Sequence, residues 1–451
     1  MTQARNKEVT SESKLQEEKL RKLGWYHSIE LPDGQVIQGL IPLEILRARL
    51  DRFSIPQDLR GSRVLDIGAW DGWFSFEMER RGASVLAIDS TPRTNFGVAK
   101  KLLSSKVEHR VLDICKLNPA EIGKFDIVLF LGVLYHLKHP LLALENICAL
   151  SDNMACLESY VTDDGTSPGS IPIMEFYEAS ELRGQFDNWV GPNTECFLSF
   201  ARTAGFAVVE LRGVYDQRAH VMCYRRWREE EGPGERPFLE SAENSITGDR
   251  HFLTDRDDYI SFWFKAERTD LTCDNVLAQV GAYATRPVVV ASTGKHGWLA
   301  NCKLPPGLNR AYHEAKIRII DTKFSNIIRV PVDDPPLDEA NKVKAKYDAH
   351  LAAITLVTDG HSWDRWKIYT RLGGCLSIWA TGIQDDVSCE DIIINIGGTA
   401  LGAVFVSDVD SMQARQVNAL VPPGLPIGQV LLYLTIRGHD TLPVAVEIVQ
   451  A

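Results

Sequence analysis

The chain has 451 residues, with 49 Lys and Arg against 60 Asp and Glu, a net charge of −11 and 45% hydrophobic residues. That length supplies about two to four domains with real cores, and the acidic balance excludes the overall basic field of a general nucleic-acid binder, although a local patch would suffice for tRNA. Its nine cysteines are scattered without a C-x-x-C pair, which excludes a zinc site or a disulfide framework; no metal is expected, and a reducing cytoplasm fits.

Residues 1–55 are read as a helical lid. The opening stretch lacks the apolar core of a secretory signal, and no run approaches the ~20 apolar residues of a membrane span, so a cytoplasmic protein without membrane attachment is expected. The first dozen residues are expected to be disordered; from Glu12, Leu15, Leu20 and Leu23 amid Glu and Lys predict an amphipathic helix over the next domain. Trp25, Tyr26 and His27 are candidate lid residues, with simple hydrophobic stapling as the alternative. A helix is predicted from about Pro42 to Phe53, carrying Arg47, Arg49 and Arg52.

Val64 to Glu77, VLDIGAWDGWFSFE, reads as a buried strand, an acidic glycine turn and a helix start. Gly68 and Gly72 let the backbone approach a ligand, and the helix offers free N–H groups in its first turn. The run ASVLAIDS predicts a second strand ending in Asp89, about 20 residues past the glycines, where a carboxylate holds a ribose diol. A pyrophosphate needs the full G-x-G-x-x-G turn, whereas here Gly68, Trp70 and Gly72 put an indole in the middle. Asp66 and Asp71 would repel a pyrophosphate and suit a cationic sulfonium ligand bearing an ammonium group, so a dinucleotide is the weaker reading.

RVLDI places Asp113 after a third strand, suited to an adenine amine, and a fourth strand from Asp126 to Leu131 opens into a loop at Gly132. LLALENICAL reads as a helix and ACLESYV as a fifth strand with Glu158 near its carboxyl end, the edge where catalytic groups of open α/β sheets gather. Thr162 to Asn193, containing Trp189, reads as an insertion over the mouth; a helix and two strands then close a domain of residues 56–230. The mixed run around Arg225, Arg226 and Arg228 is expected to be a solvated linker face.

The pieces WYHSIELPDG (Trp25 to Gly34), VLDIGAWDGWFSFE, GVLYHLKHP (Gly132 to Pro140) and NWVGPN (Asn188 to Asn193) resemble class I S-adenosylmethionine-dependent methyltransferases. Within that class they look most like the tRNA wobble-uridine methyl- and carboxymethyltransferases that build 5-oxyacetyl-type uridines. The resemblance covers roughly the first half of the chain. It implies a seven-stranded Rossmann-like α/β sheet, with the methionine moiety near Asp66 and Gly68, ribose at Asp89 and adenine near Asp113. Ala69, Asp71, Gly72, Leu131 and Gly132 complete the cofactor set, and Tyr135 and His136 line the substrate mouth. Relatives that use carboxylated S-adenosylmethionine carry a basic aromatic segment ahead of the first strand to grip the extra carboxylate. The counterpart here offers Trp25, Tyr26 and His27, then only the arginines of the next helix, so ordinary S-adenosylmethionine is expected.

Methyl transfer from a sulfonium is an in-line displacement that holds the nucleophile about 3 Å from the methyl carbon and removes its proton. His136, a side-chain type that titrates near neutrality, is the candidate base, with helix capping or packing as its bland alternative. Tyr135 is read as orienting cofactor or acceptor, or as packing. Glu158 is a base or amine acceptor, or else a strand-end carboxylate salt-bridged to an arginine. Trp189 is placed with the lid, while Trp70 and Trp73 are read as structural.

EEEGPGERPFLESAENS marks a linker, taken as residues 231–248. Beyond it the chain repeats itself: Ser261, Trp263, Asp270, Cys273 and Gly281 recur at an offset of 116 as Ser377, Trp379, Asp386, Cys389 and Gly397. PPGL at Pro305 to Leu308 returns at Pro422 to Leu425, one residue further out of phase. Two all-β sandwiches, 249–334 and 353–451, are expected, joined by a charged linker over 335–352 that includes a short helix. They resemble the immunoglobulin-like (TIG-type) fold of transcription factors and cell-surface receptors. Exposed indoles at Trp263 and Trp379 would stack on sugars, but a tryptophan in an alternating sandwich strand is expected in the core. The modules are expected to position a substrate or a second copy of the chain, whose antiparallel edges can pair.

The expected function is transfer of a methyl group from S-adenosylmethionine to an O or N nucleophile of a small-molecule or glycan acceptor. The alternatives are tRNA wobble-uridine methyl or carboxymethyl transfer, and a cofactor-binding scaffold or carbohydrate-binding protein acting through its sandwiches.

Overall fold

A computed structural model of the chain describes residues 23–164, 171–248, 251–294, 296–333, 352–371, 373–410 and 414–450. The chain divides into two units, Met1–Trp227 and Arg228–Ala451. The lid helix expected from Glu12 and the disorder expected before it lie outside the described residues, as does nearly all of the 335–352 linker.

The first unit begins with a short hairpin, β1 (Ile29–Glu30) and β2 (Val36–Ile37), and helix α1 (Leu43–Asp51), which Pro42 caps, within the predicted Pro42 to Phe53. There follow β3 (Arg63–Ile67), α2 (Trp73–Arg80), β4 (Ser84–Asp89), α3 (Thr94–Leu102), β5 (Glu108–Val111), α4 (Pro119–Ile122) and β6 (Phe125–Leu131). The unit closes with α5 (Pro140–Leu150), β7 (Ser151–Tyr160), β8 (Met174–Phe176), β9 (Val190–Pro192), α6 (Thr194–Thr203), β10 (Val208–Tyr215) and β11 (Arg218–Tyr224). Seven strands form one sheet in the order β10-β11-β7-β6-β3-β4-β5, in which only β11 runs against the rest.

Near-continuous apolar runs such as FDIVLFL are what a parallel strand buried on both faces needs. Side chains alternate accordingly. Val64, Ile127 and Leu129 enter one core with α1, α2 and α3, while Leu65, Ile67, Val128 and Phe130 enter a second core with α5 and α6. The chain runs outward from β3 to β4 and β5, then returns to lay β6 on the other side of β3. A crevice therefore opens at the carboxyl ends of β3 and β6, where ligands bind in open α/β sheets.

The second unit is all-β, and its two repeats share one pairing scheme. In the first, β12 (Phe238–Asn244), β13 (Tyr259–Lys265), β16 (Pro287–Gly294) and β17 (Gly297–Lys303) make one sheet. Its second sheet is β14 (Val276–Val280), β15 (Tyr283–Thr285), β18 (Ala311–Ile319) and β19 (Ile328–Val332). In the second repeat, β20 (Ala353–Asp359) pairs β22 (Gly374–Thr381) as β12 pairs β13, with Thr358 opposite Ser377 where Glu243 stands opposite Ser261. β21 (Lys367–Thr370), β23 (Ile392–Ile396), β24 (Thr399–Gly402), β25 (Phe405–Val406), β26 (Ala414–Val421), β27 (Gly428–Ile436), β28 (His439–Asp440) and β29 (Val444–Gln450) complete it.

Three expectations change. Phe238–Asn244, inside the linker read from charge and glycine content, is a strand, because Leu239 and Ala242 reach the core from within FLESAEN. The repeats are not separate beads: Ser241 of β12 pairs with Thr399 of β24, so one sheet runs from β16 through to β21. Finally, Trp263 and Trp379 are only partly buried. Phe262 and Phe264, and likewise Ile378 and Ala380, take the inward register on the same strands.

Candidate functional site

The turn between β3 and α2 is built on left-handed backbone at three of its five residues: Gly68 at φ 73°, Trp70 at φ 53° and Gly72 at φ 91°. The N–H groups of Gly68 and Ala69 both reach the Ile88 carbonyl at the end of β4, at 2.8 and 3.2 Å. A Cβ on Gly68 would come within 2.4 Å of Val133 Cγ2, so the turn packs against the loop that follows β6.

Asp89 closes the other side. Its carboxylate accepts from Trp70 N–H at 2.9 Å and from Arg93 Nε at 3.1 Å, and it is 3% exposed. Arg93 also lies over the Trp70 ring, its guanidinium 3.8 Å from the centroid. Leu112 N–H donates to the Asp89 carbonyl, which sets Asp113 beside the same strand end. There the Asp113 carboxylate caps its own turn through Cys115 N–H at 3.0 Å.

Asp66 at the end of β3 and Asp71 in the turn are both engaged within the chain. Asp66 shares the inward register with Val64 and is hydrogen-bonded by the Ser75 hydroxyl of α2 at 2.5 Å. Burial pushes its carboxyl up to about 7, so at neutral pH it is only partly ionised and a weak counter-charge for a sulfonium. Asp71 accepts from the backbone N–H groups of Tyr26 and His27 at 2.7 and 3.0 Å. It tethers the segment ahead of β1 to the turn. Burial lifts its carboxyl as well, against those two hydrogen bonds.

At the mouth, Gly132 N–H donates to the Glu158 carbonyl at 3.0 Å, binding the loop after β6 to β7. The Glu158 carboxylate is 1% exposed and lies between Arg49 of α1 and Arg218 of β11, the latter at 2.6 Å. Burial raises its pKa, but the two guanidiniums outweigh that and hold it at about 2. Of the alternatives open for Glu158, the salt-bridged carboxylate is the one this geometry favours; a group ionised at every working pH, with both oxygens engaged, is a poor proton acceptor. Arg218 also donates to the Tyr135 hydroxyl at 3.2 Å. Arg52 contacts His220 at 3.0 Å, and burial lowers that imidazole to about 4.

Arg49 and Arg52 are legible only as helix cations, and their meeting with Arg218 and His220 is not, because it depends on β11 pairing with β7, which sets His220 opposite Glu158. His27 is buried, and burial with Arg49 nearby holds its imidazole at about 3, so it is neutral. Two buried atoms here, His27 Nδ1 and Arg49 Nε, have no hydrogen-bond partner among the described residues.

His136 follows Tyr135 in a short turn, with Nδ1 3.0 Å from the Asp187 carbonyl. A carbonyl only accepts, so Nδ1 carries the proton in the neutral ring and Nε2 keeps its lone pair. Trp189 N–H donates to the Tyr135 carbonyl at 2.7 Å, and Lys138 lies 4.1 Å from the Trp189 centroid, so the insertion is tied to the mouth. Arg225 is fully buried, its N–H donating to the Asn153 carbonyl, and Arg226 pairs with Asp152. Arg226 and Arg228 are exposed as the solvated linker face requires, and only Arg225 departs from it. A cavity of about 820 Å³ lined by Ile29, Arg47, Trp73 and Phe76 holds none of Asp66, Gly68 or Asp89.

Residues 41–211 match the family model of a methyltransferase domain, less than half of the chain. A tRNA U34 carboxymethyltransferase of Pseudomonas paraeruginosa is 30% identical over 211 residues, covering 41% of this chain and 63% of its own length. A ubiquinone biosynthesis O-methyltransferase of Xanthomonas oryzae pv. oryzae is 39% identical over 111 residues, 24% of this chain and 46% of its own. The chain thus spans less than two thirds of the length of these curated relatives. Among solved structures, the N-terminal domain of EvdMO1 with SAH bound is 20% identical over 48% of this chain and 97% of that one, with a TM-score of 0.37.

Proposed function

We propose that the methyltransferase domain of residues 41–211 moves a methyl group from S-adenosylmethionine to an oxygen or nitrogen nucleophile of a small-molecule or glycan acceptor. The observation that carries this reading is the pairing of the left-handed Gly68–Gly72 turn with the buried Asp89 carboxylate beside the β3–β6 crevice. The residues fit the cofactor: a close-approach turn, a carboxylate at the end of β4 for a diol, and the orphaned His27 Nδ1 and Arg49 Nε at the same edge. Gly68, Ala69, Asp89, Asp113 and Gly132 would hold it, with Arg93 giving up its place on Asp89 to the ribose.

Bound there, S-adenosylmethionine supplies an electrophilic methyl group. The chain's part is to orient the nucleophile and take its proton. His136 Nε2 is the acceptor lone pair for that proton, its ring fixed by the Asp187 carbonyl. Tyr135, held by Arg218, orients the acceptor, and Trp189 with the Asp71-tethered segment covers it from water. We read the two repeats of the second unit as immunoglobulin-like modules.

A second reading, wobble-uridine modification of tRNA, has an observation of its own. Two guanidiniums, Arg49 and Arg218, meet one carboxylate beside Tyr135, and a third, Arg52, rests on the neighbouring His220, leaving positive charge that suits a carboxylate on the donor or a phosphate on the acceptor. Calorimetry decides between the donors: tighter binding of S-adenosylmethionine than of its carboxylated form, lost at least tenfold in Asp89→Ala, supports the first reading. S-adenosylhomocysteine release on a panel of hydroxyl and amine acceptors, with bulk tRNA as one arm, then identifies the substrate class. Turnover of tRNA alone, steeply weakened by salt, would install the second.

A further inference from the structure

The turn after β12 recurs after β20 with its residues exchanged. In the first repeat, Asn244 ends β12 and its side chain accepts from the N–H groups of Ile246 and Thr247, at 2.9 and 3.3 Å. Gly248 then donates to the Asn244 carbonyl at 2.8 Å. In the second, Asp359 ends β20 and accepts from His361 and Ser362 N–H at 3.0 and 2.8 Å, and Trp363 donates to the Asp359 carbonyl at 3.0 Å. Asn244 stands opposite Ile260 and Asp359 opposite Leu376, the same step of the repeated strand pair. The turn is therefore one turn built twice, and its last position is left-handed in both copies, φ 74° at Gly248 and φ 63° at Trp363.

Glycine takes that conformation without strain, whereas a bulky side chain there is a true outlier. Trp363 is not sunk in the core, since it is 60% exposed. Three residues on, Trp366 repeats the pattern at φ 59° and 37% exposed. The Trp363 ring is set against Trp379, centroids 6.2 Å apart, the tryptophan that the strand register turns outward. Between the two exposed indoles, the Asp364 carboxylate is fixed by Ser362 Oγ at 3.1 Å and Tyr369 OH at 2.9 Å, which leaves it further acceptor capacity.

We propose that Trp363 and Trp366 are the platform of a saccharide-binding site confined to the second repeat, taking a neutral glycan chain. Backbone strain that projects exposed rings points to something bound. Indole faces stack on the C–H faces of pyranose rings, and the fixed carboxylate of Asp364 with the exposed Arg365 beside it matches a ring's hydroxyl edge. A membrane-inserting loop would surround its indoles with aliphatic side chains, and here the neighbours are Ser362, Asp364, Arg365 and Lys367.

The test is affinity electrophoresis of the full chain in native gels containing dextran, mannan, xylan or mixed-linkage β-glucan, with no methyl donor present, so it stands apart from the catalytic reading. The expected result is retardation in at least one of these gels, weakened at least tenfold by Trp363→Gly and by Trp366→Ala. Trp363→Gly restores the residue of the first repeat and should leave the melting temperature of the second unit unchanged or raised, which separates lost binding from lost folding. The proposal is overturned if none of the four polysaccharides retards the wild type, or if Trp363→Gly and Trp366→Ala are retarded as strongly as it is. It is equally overturned if phosphatidylcholine vesicles capture the chain through the same two residues.

Discussion

Glu158→Gln keeps the size of the side chain and removes the charge between Arg49 and Arg218. The folded carboxyl sits at about 2 against an ordinary 4.5, and each tenfold in proton affinity is about 1.4 kcal/mol, so the ionised form gains about 3 kcal/mol in the folded chain. That agrees with the ~3–5 kcal/mol lost when one partner of a buried pair is removed. At about 2–4 °C per kcal/mol for a unit of this size, the melting transition of the first unit should fall by about 6–12 °C. Because the folded value is depressed, the contribution is complete above the ordinary carboxylate range and disappears only as the pH falls toward 2; the deficit of the variant should therefore be the same from pH 6 to pH 8. The assay is calorimetry of the full chain alongside S-adenosylhomocysteine release measured across neutral pH. Adding Arg49→Met should cost less than the two single changes summed, since both lose the same contact. A melting transition that stays put, while turnover collapses and a limb of its pH profile vanishes, would make Glu158 a proton acceptor and refute the structural assignment.

Asp66 gives the opposite sign: its folded value near 7 lies above the ordinary one, so stability falls as the pH rises from the ordinary carboxylate range to about 7 and levels off above it; the first unit should melt higher at pH 5 than at pH 8, and Asp66→Asn should flatten that slope. Asp71→Ala strands the Tyr26 and His27 N–H groups at about 1–3 kcal/mol, and hydrogen exchange should quicken at Trp25–His27 while the core of the sheet keeps its protection. His136→Gln should lower kcat about 100-fold to 10,000-fold with KM little changed; a change confined to KM would leave His136 a binding residue.

Periodicity and turn chemistry carried the first unit a long way. The apolar runs of β3, β4 and β6 announce a doubly covered parallel sheet, and Gly68 with Asp89 at the right interval announces the crevice. What they do not announce is which way a polar side chain within a strand turns. Asp66 sits in the motif but in the inward register of Val64, so it faces Ser75; Asp71 faces the chain's own N–H groups. Neither direction follows from residue type. The cluster of Arg49, Glu158 and Arg218 is hidden for another reason: its members are 109 and 60 positions apart, joined by the packing of α1 and by the pairing of β11 with β7, which no local pattern encodes. In the second unit, composition misplaced the first strand because Phe238–Asn244 carries as many charges as a linker, with Leu239 and Ala242 alone to mark its buried side.

Three of the chain's ten tryptophans, Trp70, Trp363 and Trp366, occupy left-handed backbone. A non-glycine residue there costs about 1–2 kcal/mol, which burial of an indole would ordinarily offset. These three residues are 41%, 60% and 37% exposed, so burial is only partial and each still presents ring surface to solvent. At Trp70 the offset is visible. The conformation aims its N–H at Asp89 and its ring under Arg93, so strain in the turn fixes the carboxylate at the end of β4. The same trade at Trp363 and Trp366 fixes rings in place of a carboxylate: the backbone N–H groups return to Asp359 and Val357 and hold the loop, while the indoles are left facing outward. A turn that works with glycine in the first repeat needs no tryptophan to fold, so the residue in the second repeat is explained by what its ring can hold.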